Sequence, residues 1–165
     1  TWLGPDAIKH NMGKEEVKHN LERALEQIPN AIGLDNHMGS LITQKKEYML
    51  PVMEFLRDQD MFCLDSRIIE GTVGKDVVRE VAREVGIPYA ERTHFLDNNY
   101  DYNSIRNEIL HMAEYAQKNG SAIGICHMGP HGLNTAKALA DTLPLLEEEG
   151  IEIVFVSDLI MPPAP

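Results

Sequence analysis

Ala122-Ile123-Gly124-Ile125-Cys126 runs directly into His127-Met128-Gly129-Pro130. Five apolar or small residues bounded by polar and turn-forming ones read as a buried strand that delivers His127 at its carboxyl end. An amphipathic segment lies on each side. Residues 103–118 present Ile105, Ile109, Met112 and Ala116 at helical spacing before Gly120, and a further helix over 134–148 stops at Gly150. The same alternation recurs further out. Helix 14–28 carries Val17, Leu21, Leu25 and Ile28, and Ala31–Leu34 reads as a strand. Helix 45–58 contains Pro51, which predicts a kink or a late start. Met61–Leu64 is the next strand, followed by a helix over 75–85 closed by Gly86. A less regular strand is expected at 89–90 or 93–96, and a last one over 151–156 ending in Ser157-Asp158. Continuous apolar strands alternating with amphipathic helices predict an α/β fold with a parallel sheet covered on both faces.

The 165 residues suit one domain with a sizeable core, and 43% hydrophobic with 25% charged is an ordinary globular composition. A net charge of −11 repels phosphate backbones, so no nucleic-acid partner is expected. It is compatible with a neutral or partly cationic ligand such as an amino sugar. No apolar run reaches the length of a membrane span, and the N-terminus lacks a signal-peptide pattern. Cys63 and Cys126 make no metal-site spacing and are expected to be small buried hydrophobes, unbridged.

In parallel α/β folds, ligand-binding and catalytic groups gather at the carboxyl ends of strands. Five strand ends here carry Asn36/His37, Asp65/Ser66/Arg67, Asp97/Asn98, His127 and Ser157/Asp158. Singly, each is an ordinary turn former or helix cap. Two histidines and several carboxylates on one rim favour an active site, with His37, Asp65 and His127 expected in one cleft. Asn36-His37-Met38-Gly39-Ser40 is the most informative stretch, because a histidine followed by glycine can approach a metal or substrate with little obstruction. Asp65 beside Arg67 is either a structural ion pair or a device that orients a catalytic group. His127 and His131 have the i, i+4 spacing of helical zinc ligands, but Gly129 and Pro130 between them argue against a helix there.

Asn36–Ser40, Phe62–Arg67, Phe95–Asn98 and Ile123–His127 resemble, in order, successive motifs of the divergent polysaccharide deacetylase family, relatives of the NodB-type carbohydrate deacetylases. The resemblance extends from Trp2-Leu3-Gly4 to Val156-Ser157. Two departures stand out: Cys126 precedes the last histidine where the family has Gly, and Ile68-Ile69 follow Asp65-Ser66-Arg67 where it has Ser or Thr.

The resemblance implies a distorted (β/α) barrel with a divalent metal, zinc by preference, at its rim. It further implies an Asp-Asp pair and a His-x-Pro-Met segment upstream of Thr1, so the domain is expected to be N-terminally incomplete, and a location in the periplasm or outside the cell. The residues alone also allow an open doubly wound sheet of about five strands. The expected activity is metal-dependent removal of an N- or O-acetyl group from a polysaccharide or oligosaccharide. In it His37 is the metal ligand, His127 the general acid with Asp65 and Arg67 orienting it, and Asn36, Ser66 and Asp97 bind substrate. The alternative is an envelope-associated carbohydrate-binding domain that keeps the fold without turnover.

Overall fold

A computed structural model describes residues 3–67, 76–129 and 132–160. Trp2, Ile68-Ile69, Pro130 and His131, all noted above, lie outside the described residues. Strands and helices alternate along the chain: α1 (Lys14–Gln27), β1 (Gly33–Asp35), α2 (Lys46–Asp58), β2 (Phe62–Asp65), α3 (Val77–Val85), β3 (Tyr89–Glu91), β4 (His94–Phe95), α4 (Tyr102–Asn119), β5 (Gly124–Ile125) and α5 (Gly132–Glu148). β1 pairs parallel to β2 with Leu34 opposite Cys63, β3 flanks β2, and β4 pairs parallel to β5. The parallel α/β class expected from the sequence is therefore present. Among the described residues no helix is long and apolar enough to cross a membrane.

The chain forms two compact units, one within Thr1–Ala90 and the other Glu91–Leu159. The first is centred on Leu21, Met53, Leu56, Cys63, Val78 and Val81. These residues come from the apolar stripes of α1–α3 and from β2, whose alternation buries Cys63 and Asp65 on one face. The second unit is centred on Leu96, Ile105, Ile109, Ala138 and Leu146. α4 starts where the Asp101 carboxylate accepts from the Ser104 N–H at 3.0 Å and ends at Gly120 in the left-handed region, φ 91°. α2 runs through Pro51 instead of starting after it. One backbone bond is lost there, while Met49, Val52, Met53, Phe55 and Leu56 stay buried along the same face.

The last expected strand does not form. The Ile151 N–H is spent on Leu146 O, closing α5, and the Asp158 carboxylate accepts from the Phe155 N–H ahead of a 3₁₀ turn over Val156–Leu159. Ser157 and Asp158 are therefore turn residues and not a strand end. The strand read over 122–126 shortens to Gly124–Ile125. Thr93 takes over its start, donating from its N–H to Ile123 O and accepting the Ile123 N–H on its hydroxyl. The less regular region resolves into both alternatives, β3 and β4. Both cysteines are free thiols, as expected; Cys63 is buried, but Cys126 is only half-buried, against the expectation for it.

Candidate active site

In the first unit the ends of β1 and β2 are tied together. The Asn36 side chain donates to Ser66 Oγ (2.9 Å) and accepts from the Ser66 N–H (3.1 Å), and Ser66 Oγ donates to Asn36 O (2.6 Å). Gly39 makes room for this arrangement: a Cβ there would stand 3.1 Å from Thr43 and 3.3 Å from the Asn36 amide. The polar atoms expected to meet substrate are thus turned toward each other, and Ser66 is buried. Their neighbours take unusual backbone shapes, with Met38 at φ 53° and Arg67 at φ 46°. The buried Asp65 carboxylate accepts the Arg67 N–H at 2.8 Å, and the Tyr89 hydroxyl stands 3.5 Å from its other oxygen. Asp65 therefore holds the turn that carries Arg67.

His37 is exposed at the edge of a cavity of about 370 Å³ whose wall is largely apolar, including Ile8, Leu21, Leu34, Ile42 and Val52. Asp35 shares that cavity. Its carboxyl is pushed up to about 6, first by burial and then by the charge of Asp65. A catalytic zinc asks for three protein ligands and a water. Among the described residues no three His, Cys, Asp or Glu side chains come together to hold a metal. His37 therefore does not complete a ligand set among the described residues. His131, the other half of the i, i+4 pair, lies outside the described residues.

In the second unit Asp97, two residues past β4, faces His127, two residues past β5. Asp97 is 1% exposed. Its Oδ1 lies 3.1 Å from His127 Nδ1, and its Oδ2 accepts the His127 backbone N–H and the Thr135 hydroxyl, the latter at 3.3 Å. The His127 side chain keeps 41% of its surface open and packs edge-on against Phe95, ring centres 5.3 Å apart. Phe95 in turn lies 5.1 Å from the Arg92 guanidinium. Burial raises the neighbouring Cys126 thiol, with the Asp97 charge adding to it, so that group stays a protonated, weak nucleophile.

A carboxylate only accepts hydrogen bonds, so the ring nitrogen facing Asp97 carries a proton and Nε2 is left to exchange one. The side chain found orienting His127 within its unit is thus Asp97, which the sequence had placed against substrate. Thr135 and Phe95 were missed. The signal for Thr135 was a hydroxyl in the buried stripe Thr135, Ala138, Thr142, Leu146.

Residues 1–160 match the family described as divergent polysaccharide deacetylase. The chain is 32% identical over 159 residues to an uncharacterized protein of Haemophilus influenzae, covering 93% of this chain and 54% of that one. It is 28% identical over 161 residues to the uncharacterized protein YibQ of Escherichia coli, covering 98% and 48%. The chain thus spans about half the length of these curated relatives. The crystal structure of the uncharacterized protein ATU2773 from Agrobacterium tumefaciens superposes with a TM-score of 0.83 at 22% identity, over 95% of this chain and 61% of that one, a likeness of fold. With the family motifs at the ends of β1, β2, β4 and β5 and a match across nearly its whole length, the chain belongs to the divergent polysaccharide deacetylase family.

Proposed function

We propose that this domain removes an N- or O-acetyl group from a carbohydrate, with His127 moving the proton and Asp97 holding the ring. The observation that carries the reading is a half-open imidazole backed by a fully buried carboxylate. In the hydrolysis, His127 Nε2 takes a proton from the attacking water as the water oxygen bonds to the acetyl carbonyl carbon. As the tetrahedral intermediate collapses, the bond to the sugar nitrogen or oxygen breaks and acetate leaves. His127 Nε2–H gives its proton to the departing amine or alkoxide, and Asp97 balances the charge the ring carries until then. Such a glycan is met in the cell envelope or outside the cell, and that is where the proposal places the protein.

Asp65, by its bonds, supports the Arg67 turn, and Asn36 and Ser66 support the strand ends. A second reading is a glycan-binding domain without turnover. Acetate release from an acetylated chitooligosaccharide separates the two. Release that falls about 10²–10⁴-fold in His127→Ala supports the deacetylase. Glycan binding without acetate from the unaltered protein supports the binding domain.

A further inference from the structure

We infer that Thr135 is a positioning residue for His127, acting through Asp97; this rests on the reading of His127 as the proton-transfer group. Thr135 lies in the first turn of α5 and is 0% exposed. Its hydroxyl reaches 38 residues away in sequence, to Asp97 Oδ2. Of the two Asp97 oxygens, Oδ1 faces the imidazole, while Oδ2 is held by the His127 backbone N–H and by Thr135. The carboxylate torsion of an aspartate is broad and roughly two-fold. The bond from Thr135 therefore helps decide which way the Oδ1 lone pairs point and hence which nitrogen of His127 keeps its proton.

The helix that carries Thr135 is fixed to the segment that carries Asp97. The Asn134 amide donates to Tyr100 O at 2.9 Å, and the Tyr102 hydroxyl donates to Asp141 at 2.9 Å. Seven residues further along the same buried face, Thr142 is equally buried, yet its hydroxyl finds no hydrogen-bond partner among the described residues. Burial on this face of α5 does not by itself produce the Asp97 bond; the placement of Thr135 does.

Thr142 also supplies the control. In protein labelled with ¹⁵N at histidine, the His127 ring is expected to show one tautomer, with a slowly exchanging Nδ1–H. Thr135→Val keeps the branched shape but not the hydroxyl; it is expected to mix the two tautomers and to lower kcat for acetate release about tenfold at unchanged KM. Thr135→Ser restores both readouts, and Thr142→Val leaves both unmoved. A His127 spectrum that responds equally to Thr135→Val and Thr142→Val, or that Thr135→Ser fails to restore, overturns the assignment. If Thr135→Val alone disturbs the ring while His127→Ala leaves acetate release intact, the positioning stands and the deacetylase reading falls.

Discussion

Asp35 and His127 show what a single strand-end residue does in this fold. The Asp35 carboxyl is raised to about 6 by burial and by Asp65, so the folded chain holds that proton more tightly than the unfolded chain does. Its contribution to stability is then fully present below about pH 4, is lost as the pH rises through about 6, and stays lost above. Asp35→Asn is expected to raise the urea midpoint at pH 7, with the gain vanishing near pH 4. Asp35 is exposed enough for water to screen the charge, which limits the gain to about 1 kcal/mol. Equal midpoint shifts at both pH values would count against the assignment. The candidates His37, Asp65, Asp97 and His127 were legible because each is polar and follows an apolar run. That Asp97 faces His127 was not, since the two are 30 residues apart and belong to separate strands.

Helices were read from sequence to within a residue or two because their apolar stripes and caps are local signals, as in α4 from Asp101 to Gly120. Strands were read less well. A strand exists only where a neighbour accepts its hydrogen bonds, and the apolar run Ile151–Val156 has its first N–H spent on the end of α5. The two residues of β5 likewise reflect a β4 of only two residues on the other side of the ladder. The Asp101 cap is a test at this scale. Asp101→Ala removes the bond to the Ser104 N–H at the start of the helix that buries Ile105 and Ile109. It is expected to cost about 0.5–2 kcal/mol of stability, seen as a lower urea midpoint at unchanged m-value. An unchanged midpoint would show that the cap contributes nothing.

A net charge of −11 attracts cationic ligands and repels anionic ones before any contact forms. A partly deacetylated, cationic chitooligosaccharide is expected to bind more tightly than a sulfated glycan of equal length. That advantage should shrink as salt rises from about 0.05 M to about 0.5 M, because the screening length drops below about 10 Å. A preference unmoved by salt, measured by calorimetry, would assign it to contacts alone. The family and the α/β class were legible at the scale of the whole chain, since four motifs in order carry both; which oxygen of which carboxylate meets His127 depends on packing inside the second unit.

The account comes down to Asp97 holding His127 for proton transfer, and Asp97→Asn tests it most directly, because the amide keeps the size of the side chain and changes what it presents to the ring. kcat for acetate release is expected to fall about 10²–10⁴-fold with glycan binding retained. Turnover within twofold of the unaltered protein would contradict the account.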